Sequence, residues 1–173
     1  VYILWASFDK TINDIQGYFL ADINVNFSRG YRYDKVSEMT PNIPGVSSVE
    51  GLLEYPGTVL SDDESAGRQI AFYAPPSTST LIDPIITAGR WLQPGDENAI
   101  VIGNHLLNIF PDLKVGDSLK IEIDGKETQW HIVGFYSITG NIDVPLLYVN
   151  YEYISRVVGQ PGMVYALRVI TNT

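Results

Sequence analysis

The stretch from Lys114 to Phe135, KVGDSLKIEIDGKETQWHIVGF, carries the clearest local signal in the chain. Leu119, Ile121 and Ile123 alternate with Lys120, Glu122 and Asp124, and side chains two apart on a strand share one face. Asp124-Gly125 is a two-residue turn of the kind that joins antiparallel strands, because both of its positions take φ above zero. Closing this turn sets Leu119 opposite Trp130 and Ile121 opposite Thr128, which gives the hairpin one apolar face.

Upstream, AIVIG (99–103) reads as a buried strand. NHLLNIFP follows as a short helix, with Asn104 near its cap, Leu106, Leu107 and Phe110 on its inner side, and Pro111 after it. RQIAFYAPP (68–76) is another strand, ended by two prolines. SDDESAG (61–67) is an exposed polar loop whose acids lack the alternating oxygen spacing of a calcium loop. Val46 to Leu60 reads as extended chain interrupted at Pro56-Gly57. Asp34 is placed to cap a short helix carrying Val36 and Met39, stopped by Pro41. In ADINVNFS (21–28), Ile23, Val25 and Phe27 alternate with asparagines as in a half-buried strand. Trp5, Phe8, Ile12, Ile15 and Phe19 recur every three or four residues and predict a helix over 3–20, with a strand over 1–8 as the competing reading. Downstream, PLLYV (145–149) is a strand. NYEYISRVVG (150–159) is a helix with Asn150 as cap, Tyr151, Ile154 and Val158 inside and Gly159 at its end; MVYALRVI (163–170) is a strand.

A strand–helix–strand unit therefore stands near each end, with a hairpin-rich middle between them. The expected fold is α+β: two βαβ units pair into a split sheet with helices on one face, and the middle forms an inserted, smaller β-rich lobe.

The 173 residues suffice for one domain or two small lobes. The net charge of −9 argues against nucleic acid or an anionic lipid surface as partner. The absence of cysteine excludes disulfide scaffolds, thiol catalysis and iron–sulfur clusters. Neither His105 nor His131 has a metal-ligand partner at the right spacing; both read as surface residues, His131 beside Ser118. No nucleophile elbow, SxxK or phosphate-binding glycine loop occurs, so no cofactor is expected. Asp96 with Glu97 and Glu122 with Asp124 are acid pairs, but nothing singles either out as facing across a cleft. Trp91 is expected to pack under the following strand, with Arg90 tying the preceding loop; a contact to a sugar or a partner is the alternative. Tyr31, Tyr33 and Tyr73 support a second functional reading, a secreted carbohydrate-binding or adhesion module. The start VYILWASF, without methionine, reads either as the stub of a membrane helix in a longer chain or as an ordinary buried element end.

The stretch from Gly89 to Phe135 also resembles the periplasmic core domain of MacB/FtsX-type ABC transporter permeases. The resemblance rests on Gly89-Arg90-Trp91, Asp96, Ile100-Val101-Ile102-Gly103, Leu106 to Phe110, Val115-Gly116-Asp117 and Val133-Gly134. NIPGVSSVE (42–50) resembles the family's Pro-Gly-Val step before a strand. The resemblance implies a domain between the first two membrane helices, on the extracytoplasmic side of the cell membrane. It implies a porter-like lobe from 1–65 and 138–173, its 1–20 helix continuing a membrane helix, and an inserted lobe over 66–137. Gly89, Arg90, Trp91, Gly103, Gly116, Asp117 and Gly134 are then structural, with no catalytic, cofactor or metal residue among them. The implied partners are the protein's own transmembrane helices, a cytoplasmic ATPase subunit or domain, and a second permease copy or an extracytoplasmic protein.

Overall fold

The computed structural model describes residues 20–60, 67–137 and 145–172. The predicted helix over 3–20 and the polar loop at 61–67 fall almost wholly outside them.

Strands β1 (Ile23–Arg32) and β2 (Val46–Val59) are joined by α1 (Tyr33–Met39), and both pair antiparallel with β9 (Met163–Thr171). They are thus parallel to each other with β9 between them. β3 (Arg68–Ala74) pairs antiparallel with β2 and parallel with β8 (Leu146–Tyr148). β8 therefore runs parallel to β9, and α2 (Tyr151–Val157) makes the crossover between them. These are two βαβ units interleaved in one split sheet, and the chain is α+β as its pattern implies.

The middle adds β4 (Ile85–Gly89), β5 (Ala99–Gly103), β6 (Ser118–Ile123) and β7 (Lys126–Ser137). Among the described residues eight strands run in the order β1-β9-β2-β3-β8-β5-β7-β4, while the ninth, β6, pairs with both β7 and the end of β2. Following partners from β2 through β3, β8, β5, β7 and β6 leads back to β2, so six strands close a ring. Four of these strands come from the 66–137 stretch; β2 and β8 complete the circuit from outside it.

The hairpin forms in the expected register, Leu119 opposite Trp130 and Ile121 opposite Thr128. Its apolar face joins Phe72, Ile100, Ile132 and Leu147 in the core, where Trp130 packs 4.9 Å from Phe72 and 5.5 Å from Tyr153 of α2. Each large side chain fully buried there contributes about 1.5–3 kcal/mol. A second cluster lies on the other face of β5 and β8, where Trp91 packs 5.1 Å from Tyr148 beside Val101 and Tyr136.

Five local expectations are corrected. β2 runs unbroken through Pro56-Gly57, because Ala71, opposite Pro56, turns its N–H to Pro145 of the neighbouring segment: the pair is a non-hydrogen-bonded one, and β3 has no carbonyl waiting for the N–H that Pro56 lacks. Asp34 does not cap α1: the cap position is Arg32, and Asp34 sits in the first turn, bound to the Lys35 N–H (2.8 Å) and to the Arg32 guanidinium (2.9 Å). Met39 is 64% exposed and packs into no core. Asn104–Asn108 is a single 3₁₀ stretch in which Asn104 makes no cap bond and instead accepts the Thr87 hydroxyl at 2.9 Å. Asn150 occupies the cap position of α2, but its side chain bonds elsewhere.

Candidate functional site

Four of the motif residues meet where β4 leaves β7. Gly89 has φ of +70°, and a Cβ there would meet the Val133 carbonyl oxygen. A Cβ on Gly134 would meet the Arg90 carbonyl oxygen. Both positions need glycine because the two backbones cross in contact. The chain then turns at Arg90, whose N–H bonds Val133 O at 2.9 Å. Its guanidinium forks onto Asp96 at 2.7 and 2.9 Å, and Nη1 also reaches Trp91 O at 3.0 Å. Asp96 accepts the Gln93 N–H at 2.9 Å as well. The Arg90 hydrogen bonds hold the Asp96 carboxyl below the ordinary range. Arg90 therefore ties the loop that follows it, not the one that precedes it.

This closed loop is fastened to α2. Asn150 Nδ2 donates to Gln93 O at 2.7 Å, and Arg156 pairs with Glu97 at 3.0 Å. Beneath it Leu92 is buried and Trp91 packs on Tyr148, so the joint links the β4–β5 connection to the crossover helix.

Gly116 and Asp117 lie nearby, next to Val115, whose side chain approaches Gly89. Gly116, with φ of +95°, donates to Ile132 O at 2.8 Å; Ile132 donates to Asp117 O at 2.9 Å. The Asp117 carboxylate closes its own turn on the Lys114 N–H at 2.8 Å. Gly103 stands apart at the end of β5, where a Cβ would meet the His105 ring. His105 does not face solvent: both ring nitrogens are buried without a hydrogen-bond partner, and desolvation lowers its pKa. His131 is exposed as expected, with Nδ1 2.8 Å from the Ser118 hydroxyl.

Two polar arrangements escape the sequence reading. Arg168, fully buried on β9, stands opposite Glu50 of β2. It donates to the Tyr73 hydroxyl at 3.0 Å and lies 5.2 Å over the Tyr73 ring. Glu50 accepts the Ser79 hydroxyl at 2.7 Å, and burial pushes its carboxyl above the ordinary range against the pull of that bond and of Arg168. A lone arginine in the apolar run VYALRVI is the available signal, since a buried charge requires partners. The second is Asp22, whose Oδ2 accepts both the N–H (2.7 Å) and the hydroxyl (3.0 Å) of Thr171. Asp22 also donates its own N–H to Val169 O at 3.0 Å. The start of β1 and the end of β9 are thereby clipped side by side.

The acid pairs do not face one another across a cleft. Asp96 and Glu97 are each paired with an arginine, while Glu122 and Asp124 line a groove at the hairpin tip. The three tyrosines form no common platform. Tyr31 is exposed against Phe27, Tyr33 bonds Val49 O at 3.0 Å, and Tyr73 lies under Arg168. Among the described residues no helix is long and apolar enough to cross a membrane.

No family model matches the chain, and no curated protein matches it by sequence. Its structure is similar to the periplasmic region of MacB from Actinobacillus actinomycetemcomitans, with a TM-score of 0.63 and 13% identity over 94% of this chain and 80% of that one. It is also similar to the extracellular domain of the noncanonic ABC-type transporter YknZ from Gram-positive bacteria, with a TM-score of 0.60 and 12% identity over 87% of this chain and 82% of that one. At such identity the likeness speaks for the fold, and the fold of this chain is that of the extracytoplasmic domains of ABC-type permeases.

Proposed function

We propose that the chain is the extracytoplasmic domain of an ABC-type permease and couples ATP hydrolysis in a separate cytoplasmic subunit or domain to movement outside the membrane. The observation that carries this reading, beyond the fold, is the Asp22–Thr171 clip. A domain set between two neighbouring membrane helices must return its chain to the place it left, and the clip holds the two strands side by side at that end.

In this reading the domain has a porter-like lobe from 1–65 and 138–173 and an inserted lobe over 66–137, with β2 and β8 shared between them. Gly89, Arg90, Trp91 and Gly134 form a stiff joint: a forked Arg–carboxylate pair fixes direction as well as distance, and the packed glycines leave no slack. Gly103, Gly116 and Asp117 shape the adjoining turns. The residues act by shape and stiffness, and no catalytic role is assigned to any of them. The partners are the protein's own transmembrane helices, the ATPase, and a second permease copy or an extracytoplasmic protein.

The chain has no cysteine, which makes the placement testable. A single cysteine at exposed Asp112, in the full-length protein with any cysteine outside these 173 residues replaced by serine, is expected to react with a membrane-impermeant maleimide in intact spheroplasts. Reaction only after lysis overturns the reading. Coupling is read separately. The solubilised full-length protein, together with its ATPase subunit where that is a separate chain, is expected to hydrolyse ATP at a rate that falls when Arg90 is replaced by Ala; an unchanged rate overturns that part.

A further inference from the structure

Between Leu52, its last pairing with β9, and Thr58, its first with β6, β2 keeps β3 on one side and no strand on the other. β9 and β6 diverge there, and a groove of about 760 Å³ opens between them. Its lining includes Glu54 and Tyr55 of β2, Tyr165 of β9 and Phe27 of β1, with Glu122 and Asp124 from the hairpin. Tyr55 Oη donates to Asp124 Oδ2 at 2.7 Å, which ties the hairpin tip to β2 and sets the width of the cleft. Tyr165 is held in turn by its hydroxyl, 2.8 Å from Gln160 Oε1.

Three carboxylates and three half-buried aromatic rings line the groove, and no Lys, Arg or His does. Arg168, outside the lining, attracts Glu54 from the face of β2 opposite Tyr55, which leaves Glu122 and Asp124 as the lining carboxylates to which, among the described residues, no cation is paired. Lys126 and Arg156 line a different cavity, of about 210 Å³. Glu122 stands directly opposite Glu127 across the hairpin, an arrangement of like charges that costs stability. Lys120 answers Glu127 at 3.3 Å, whereas among the described residues no ion pair reaches Glu122. A local rule broken on the wall of a cleft is a mark of function. Carboxylates beside aromatic faces suit ammonium and guanidinium groups, and a net charge of −9 draws such groups in.

We propose that this groove binds an extended basic segment of a partner protein, placing its Lys or Arg side chains among the Glu54, Glu122 and Asp124 carboxylates and the flanking rings. The groove follows an open strand edge of about five residues, which an extended chain matches in length and direction; Pro56 offers no N–H there, so the side-chain pockets and not a full backbone ladder hold the segment. It also lies where the open sheet meets the ring, and ligand sites favour such junctions. The proposal is independent of the permease reading, so either can fail while the other stands.

The probe is a fluorescein-labelled peptide alternating arginine and glycine over six residues, titrated with the full chain by fluorescence anisotropy at about 0.15 M salt. Saturable binding is expected, with none to a peptide carrying glutamine in place of arginine. E54Q/E122Q/D124N is expected to weaken binding about tenfold. D83N/D112N/E38Q removes equal charge from exposed positions elsewhere and is expected to change it by less than about twofold. Phe27→Ala is expected to cost about threefold. Equal losses in the two triple variants, or no saturable binding by the unaltered chain, overturn the proposal. Amide shifts of the unaltered chain provide a measure that no folding defect can mimic. Peptide-induced changes at Gly57, Gly125 and Tyr165 support the site, and changes scattered over the acidic surface overturn it.

Discussion

In the closed ring, β6 buries every second residue and β5 buries all five, whereas β1, at the rim of the open sheet, buries none. The ring's strands pair around its circuit, save along one side of β2 between Leu52 and Thr58, and apolar side chains fill it. The open sheet is held by directed polar contacts: Arg168 with Tyr73, facing Glu50, in its middle, and Asp22 with Thr171 at its end. Apolar burial has no preferred direction and stabilises whatever closes around it. A buried charge or a carboxylate clip favours one arrangement of its neighbours over all others. The ring thus supplies stability, while the open sheet supplies position.

Substitutions can break this comparison, beginning with the largest effect. Trp130→Ala empties the centre of the ring and is expected to lower stability by about 4 kcal/mol in chemical denaturation. Arg168→Met tests the open sheet and is expected to cost about 3 kcal/mol, because it strips Glu50 and Tyr73 of the charge opposite them. Adding Glu50→Gln should recover part of that loss; strictly additive costs would show that the two residues do not act together. Gly89→Ala is expected to cost about 2 kcal/mol or more, from positive φ and from contact with Val133 O. Gly95→Ala, at φ of +87° but in open space, should cost only about 1 kcal/mol.

Asp22→Asn has the smallest expected effect, and its signature is pH dependence. Hydrogen bonds from Thr171 hold the Asp22 carboxyl below its ordinary value of 3.8. Its contribution is therefore complete above that unfolded value and is lost as pH falls through the lower folded one. Thermal midpoints of the parent and the variant should differ at neutral pH and converge in acid. Curves that stay parallel to pH 2 would dismiss the clip.

The legible parts of this chain are those where neighbours in sequence are also neighbours in space. Asp124-Gly125 and the Leu119-Ile121-Ile123 alternation dictate their hairpin and its register because the turn brings the two strands together directly. The Gly89 and Gly134 requirements are only half legible. The glycines are visible, but the reason for them is a crossing of two backbones far apart in sequence. Arg90 was readable as a hydrogen-bonding tie but not in which direction it ties, since nothing local distinguishes the loop before it from the loop after. Asp34 and Asn150 look alike as helix caps, yet neither side chain caps, because each finds a better partner: Arg32 and Lys35 for Asp34, the Gln93 carbonyl for Asn150.

What the amino-acid order determined by itself is most of the elements: the alternating strands other than β4, the two short helices, the tight turns, and a middle richer in hairpins than the ends. Each follows from backbone preference and side-chain period, which act over a few residues. Only the tertiary structure decided that β2 would run through Pro56 from one ladder to another, that six strands would close on themselves, and that β9 and β6 would part to leave an acidic cleft. Those outcomes depend on pairings between residues tens of positions apart, where the free energy lies in which surfaces meet and not in what any one segment prefers.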